Sequence, residues 1–245
     1  MSAEPHAVPP LPAGPAETLA TLDLFALGRQ AAAARDERHG RRGFFVRTRQ
    51  MTGHGVWAGP RDAAEAYMDE ADVTGVRALG TARAAGVGTL LSGGDFEMAR
   101  AAIATGWRVV WRFPFQNGED HAERLTRLSD LARILPGLAA VMPWPEGEPY
   151  GLDTLRLFAS CRLALPAVPH LLADVSKLGP RLAQMVLGFG ADELFGPIVA
   201  ERALRLGDNA NNPALTRKEA ATLIRGAGLT PYERLADGSS EEVTT

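Results

Sequence analysis

Residues 87–113 read "VGTLLSGGDFEMARAAIATGWRVVWRF", and this stretch decides the fold class. "VGTLL" (87–91) is a short apolar run next to glycines, which reads as a buried strand. "DFEMARAAIATG" carries apolar residues at helical spacing, and "WRVVWRF" (107–113) returns to aromatic and β-branched residues. A strand, a helix and a second strand in close succession make a parallel βαβ unit, because parallel neighbours need a crossover between them.

The rhythm extends in both directions. Upstream, Glu17 to His39 predicts a helix with Gly40 just past its end. "GFFVRTRQM" then predicts a strand (44–49) with Phe45, Arg47 and Arg49 on one face. "PRDAAEAYMDEAD" and "GVRALGTARAAG" both read as helical. Downstream, "EDHAERLTRLSDLARIL" is a helix stopped at Pro136, and "LAAVMPW" holds a strand (138–142). "LDTLRLFASCRLAL" is a helix and "PHLLADV" a strand (169–175). "LGPRLAQMVLGFG", "PIVAERALRL" and "TRKEAATLIRGAG" follow as helices, the last opened by a Thr216–Glu219 capping box. The pattern predicts an α/β chain folded as an incomplete TIM-like (βα) barrel with extra C-terminal helices. Residues 1–16, rich in Pro and Ala, read as a disordered leader, 17–236 as one partial barrel domain and 237–245 as a disordered tail.

Composition narrows the function classes. Apolar residues make up 46% of the 245, ample for a buried core. Lys+Arg total 26 against Asp+Glu 29, a net charge of −3, so no electrostatic footprint for nucleic acid or an anionic membrane stands out. No apolar run reaches the roughly 20 residues of a spanning helix. With one cysteine there is no disulfide framework, and the cytoplasm is the expected location. That cysteine, Cys161, lies in an apolar stripe with Leu155, Phe158 and Leu163, which favours packing over nucleophilic catalysis.

In parallel α/β folds ligands bind beyond the C-terminal ends of the strands, so the strand exits supply the candidates. Ser92, Gly93 and Gly94 form a glycine-rich turn that either cradles a ligand or simply turns the chain into the next helix. Arg47 and Arg49 on one strand, and Arg108 with Arg112 on another, either line a pocket for a carboxylate or phosphate or reach out to water. Asp192 and Glu193, between glycines in "FGADELFG", suit a cation or a ribose, or cap a helix. His170 follows Pro169 and has no second ligand near it in sequence. No Ser-His-Asp order, phosphate-binding lysine loop or paired metal histidines is present.

The C-terminal half resembles a known family. Cys161-Arg162-Leu163, Pro169-His170, the helix around Gln184, and Gly190-Ala191-Asp192-Glu193 are similar to the end of the radical S-adenosylmethionine enzymes aminofutalosine synthase and dehypoxanthine futalosine cyclase, which serve the futalosine route to menaquinone. "LFALGRQAAAARDERHGRRGFFVRTRQM" resembles the same family's leading helix and first strand. The resemblance implies a barrel of the radical S-adenosylmethionine type. It also implies that Ser92-Gly93-Gly94 and Glu97, which match a glycine-rich segment and following glutamate, touch a nucleoside.

The likeness breaks where the chemistry should be. The family carries three cysteines in a CxxxCxxC loop after the first strand, and they hold an iron–sulfur cluster. Here that position reads "TRQMTGHGVWAGPRD", without a cysteine. The expectation is therefore a protein with no catalytic residues, metal or cofactor, which pairs with a true radical enzyme of menaquinone synthesis or with itself. The alternative is a stand-alone binder or cluster-independent enzyme for a futalosine-like nucleoside, with Glu97, Asp192 or Glu193 on the ribose and Arg47 or Arg49 on a carboxylate. Neither nucleic acid nor membrane is an expected partner.

Overall fold

The computed structural model describes residues 22–52, 57–59, 63–73, 76–116, 118–149, 151–200, 214–235 and 238–244. The expected leader, the start of the first helix, parts of the segment after the first strand and most of "PIVAERALRL" lie outside them.

Helix α1 (Leu24–His39) is capped by Asp23, whose side chain accepts from the amides of Phe25 and Ala26. The chain then forms β1 (Arg42–Phe45), β2 (Thr48–Met51), β3 (Trp57–Ala58) and β4 (Glu65–Asp69). After a 3₁₀ turn (Glu70–Asp72) come α2 (Val76–Ala84), β5 (Thr89–Ser92), α3 (Phe96–Ala104) and β6 (Arg108–Phe115). The alternation continues with α4 (His121–Ile134), β7 (Ala140–Pro145), α5 (Gly151–Ala164), β8 (His170–Asp174), α6 (Val175–Leu187) and β9 (Glu193–Phe195). A short pair, β10 (Ile198–Val199) with β11 (Leu215–Thr216), precedes α7 (Arg217–Gly226), β12 (Thr230–Arg234) and β13 (Ser240–Glu242).

Among the described residues the main sheet has 11 strands in the order β13-β12-β1-β9-β8-β7-β6-β5-β4-β2-β3. Every pair from β12 to β2 is parallel. Because only Val46 and Arg47 separate β1 from β2, one stretch of chain belongs near both ends of the sheet, which must curl to bring those ends together. Thr48 Oγ1 donates to the Gly196 carbonyl at 3.4 Å across this seam. The curl is also visible inside, where Arg108 of β6 reaches Glu193 of β9 at 3.3 Å. The result is an incomplete TIM-like barrel.

Strand alternation sets its layers. On β6, Val109, Trp111 and Phe113 face the helices and join the large outer core with Phe45, Leu128 and Phe158. Val110 faces inward, packing with Leu91, Met142, Leu172 and Phe195. The inner face therefore reads Arg108–Val110–Arg112 along β6, Glu65–Tyr67–Asp69 along β4 and His170–Leu172–Asp174 along β8. Each sequence is polar, apolar, polar. A polar layer closes the N-terminal end, an apolar layer fills the middle and a polar rim surrounds the mouth at the C-terminal ends.

Four expectations are corrected. The single strand expected over 44–49 is broken at Val46 and Arg47 into β1 and β2, which pair with different neighbours. "PRDAAEAYMDEAD", read as helical, supplies strand β4, because pairing with β2 and β5 outweighs the helix propensity of its Ala and Glu residues. The start of "PIVAERALRL" is β10. The expected disordered tail contains β13, antiparallel to β12, with Val243 2% exposed in the core. The capping box at Thr216 is present as expected.

Candidate functional site

The barrel mouth collects two anion-recognising groups, and both are already filled. Ser92 ends β5, and the next three residues lead into the N-terminus of α3, where Asp95 caps the helix by accepting from Met98 N. Glu70, on the 3₁₀ turn after β4, places its carboxylate in this bend. It accepts from the Ser92 hydroxyl, from Gly93 N at 3.0 Å and from Gly94 N at 3.0 Å. The glycine at 94 permits the approach, since a Cβ there would stand 3.0 Å from Glu70 Oε1. Burial would push the Glu70 carboxyl up, but the hydroxyl and the converging amides outweigh it and hold it below the usual carboxylate range. Next to it, Arg112 grips Asp69 through a hydrogen bond from Nη2 to Oδ1 at 2.7 Å and an ion contact from Nη1 to Oδ2 at 2.7 Å.

On the other side of Arg112 the rim is aromatic and cationic. Trp144, at the end of β7, carries the Lys177 ammonium 5.0 Å from its ring centroid and the Arg112 guanidinium at 5.7 Å. On the neighbouring strands β4 and β2, Tyr67 donates to Gln50 Oε1 at 3.4 Å. Burial, aided by Asp174 and Asp69, pushes the Tyr67 hydroxyl up to about 12. Burial likewise raises the Asp174 carboxyl, although the Ser176 hydroxyl and amide partly offset the shift.

Three candidates read from the sequence sit at the other end of the barrel. His170, Asp192 and Glu193 stand where β8 and β9 begin, so they are not exit residues. Glu193 is buried between Arg234 at 2.6 Å and Arg108 at 3.3 Å, and Glu65 joins the same two cations. Burial would raise the Glu193 carboxyl, but Arg234 and Arg108 outweigh it and lower it to about 2. Asp192 accepts from the Arg162 guanidinium, from Leu171 N at 2.8 Å and from His170 Nδ1 at 2.6 Å. Arg162 also donates to the carbonyls of Gly190 at 2.9 Å and Pro169 at 3.2 Å, stitching α5 to the starts of β8 and β9. Gly190 is obligatory here: its φ is 97°, and a Cβ would lie 2.9 Å from Arg162 Cβ.

His39, missed in the sequence, completes this corner. Its ring stacks on His170 at 5.0 Å, and its Nε2 donates to the Pro169 carbonyl at 2.8 Å. His39, His170 and Asp192 bring three metal-ligating atoms within 4.8 Å of one another. Those atoms are committed to protein partners and the Arg162 guanidinium lies against the carboxylate, so the corner acts as framework. This matches the general rule that polar residues on the closed face of such barrels serve stability.

The remaining candidates do not join the mouth as ligands. Arg47 pairs with Glu233 at 2.5 Å, which Arg217 grips from its other side at 2.5 Å. Arg49 lies 4.0 Å over the Trp57 ring. Glu97 points away on α3, its side chain 82% exposed and paired with Arg100. Of the residues expected from the sequence, Ser92, Gly93, Gly94 and Arg112 are at the mouth, and the chain fills them itself. Asp69, Glu70, Trp144 and Lys177 were not anticipated; the alternation of Glu65, Tyr67 and Asp69 was the available signal.

No family model matches the chain. Aminodeoxyfutalosine synthase of Thermus thermophilus is 32% identical over 126 residues, which cover 47% of this chain and 34% of that protein. The 5-amino-6-(D-ribitylamino)uracil–L-tyrosine 4-hydroxyphenyl transferase 1 of Methanosarcina barkeri is 36% identical over 133 residues, 47% of this chain and 35% of that protein. Over part of its length the chain is thus similar to aminodeoxyfutalosine synthase. It spans about a third of the length of these curated relatives. Among solved structures, methylornithine synthase superposes with a TM-score of 0.67 at 13% identity, covering 88% of this chain and 92% of that one. The FeFe-hydrogenase maturase HydG superposes at 0.60 with 10% identity, covering 88% and 71%. The fold is that of radical S-adenosylmethionine enzymes.

An iron–sulfur cluster requires several thiolates converging on one point. Cys161 is the chain's single cysteine, fully buried in the wall of α5, where burial pushes its thiol up and away from the thiolate. The residues present do not fit the cluster. No described helix is long and apolar enough to cross a membrane.

Proposed function

We propose that this chain is a non-catalytic member of the radical S-adenosylmethionine fold that serves as a partner or regulatory subunit in futalosine-route menaquinone synthesis. The observation that carries the reading is the single thiol: a barrel related to cluster enzymes has one cysteine, sealed in a helix wall. Arg162, His170 and Asp192 tie α5 to the starts of β8 and β9, which supports a structural role for these residues. Fold likeness by itself does not transmit activity. The test is affinity purification of the tagged protein from its own cells, followed by mass spectrometry. Stoichiometric recovery of a cluster-bearing aminodeoxyfutalosine synthase is the expected result, and recovery of the bait alone overturns it.

A second reading, binding of a futalosine-like nucleoside, is favoured by Lys177 resting on the Trp144 ring at the mouth. Such a ligand quenches the Trp144 fluorescence saturably, and Trp144→Phe abolishes that response. A flat titration at millimolar nucleoside removes this reading.

A further inference from the structure

Both anion-recognising groups at the mouth are met by acids from one turn. Glu70 fills the bend at Ser92–Gly94, and Asp69, its neighbour, fills the Arg112 fork. The bend combines a hydroxyl, successive backbone amides and the N-terminal end of α3, a combination that favours anions. The donors converge on a carboxylate carried by a separate element, the turn after β4. The Ser92 side chain is fully buried and Gly94 is exposed, so the bend opens to solvent on one side only. Asp69 Oδ1 also accepts from Ala71 N at 3.0 Å, which fixes the turn presenting both acids.

We propose that the Asp69–Glu70 turn is an intramolecular plug, whose two carboxylates occupy the Ser92–Gly94 bend and the Arg112 fork and keep the barrel mouth shut to carboxylates and phosphates. An incoming anion gains the bend only by displacing Glu70, which carries the same charge and is tethered at high effective concentration. The plug stands independently of the partner reading. It weighs against a carboxylate-bearing nucleoside entering by this side of the mouth.

The test compares the wild type with Glu70→Ala in thermal melts, using inorganic phosphate as probe and sodium chloride at matched ionic strength as control. Emptying the bend gives Glu70→Ala a saturable, phosphate-specific rise in Tm, with an apparent Kd at least about tenfold below that of the wild type. The Glu70→Ala/Ser92→Ala double variant loses the rise. In the responsive variant the Gly93 and Gly94 amide resonances shift with phosphate, and in the wild type they do not. A folded Glu70→Ala without a phosphate-specific rise makes Glu70 a structural tie and overturns the proposal, as does a wild type that binds phosphate equally well. If Glu70→Ala fails to fold, Glu70→Gln, which keeps the shape without the charge, carries the test: tighter phosphate binding than wild type supports the plug, and equal binding overturns it.

Discussion

Arg234 Nη2 donates to Glu193 Oε1 at 2.6 Å, tying β12 to β9 through the inside of the sheet at its closed end. Arg108 of β6 and Glu65 of β4 complete the same cluster, so four strands meet in one set of charges. Removing one partner from a buried ion pair leaves the others desolvated and uncompensated. Glu193→Ala is expected to cost about 3 kcal/mol or more. Urea unfolding should show a lower midpoint with an unchanged slope, and a variant as stable as wild type would show that Glu65 alone neutralises both arginines.

Stability should fall with acid in two stages. The Glu193 carboxyl, lowered to about 2 in the fold from an ordinary 4.5, stabilises fully above about pH 4.5 and loses that contribution as pH drops through 2. Its size is on the order of 3 kcal/mol. Burial lowers the His39 pKa below 6.5, so the unfolded chain takes up that proton first and stability already declines as pH falls below 6.5. Denaturant titrations from pH 8 to 3 should show both limbs, and His39→Gln should flatten the upper one.

Cys161 should be silent towards thiol reagents. It is fully buried, and burial raises its pKa, so an aromatic disulfide reagent should label it at the rate of global unfolding and stoichiometrically in denaturant. Rapid labelling of the native protein would mean that α5 opens locally. Cys161→Ala should cost about 1–2 kcal/mol by leaving a small cavity.

The α7 cap is a separate, local contribution. Thr216 Oγ1 receives the Glu219 amide at 3.2 Å while the Glu219 carboxylate receives Thr216 N at 2.8 Å. Thr216→Ala should destabilise by about 1 kcal/mol in thermal melts, with Thr216→Ser close to wild type.

The capping box was legible because every group in it lies within four residues of chain. The βαβ rhythm was legible for the same reason, since strand–helix alternation is a local pattern of side-chain spacing. Strand β4 was not, because "DAAEAYMDEAD" has helix-forming composition and becomes a strand only between β2 and β5. Asp192 and Glu193 were placed at an exit because glycines flank them. Only the register Leu172↔Glu193 shows that they begin β9.

The sequence by itself determined the fold class, the internal burial of Cys161 and the absence of a thiolate set, each carried by composition or short-range spacing. The tertiary structure alone decided which polar residues face the mouth and which close the opposite end. Glu70, on the turn after β4, and Ser92, at the end of β5, lie far apart in sequence, Arg234 and Glu193 lie on different strands, and nothing local links either pair. Curling the sheet brings them together, so that a glycine-rich turn resembling a ligand cradle is occupied by the protein's own carboxylate.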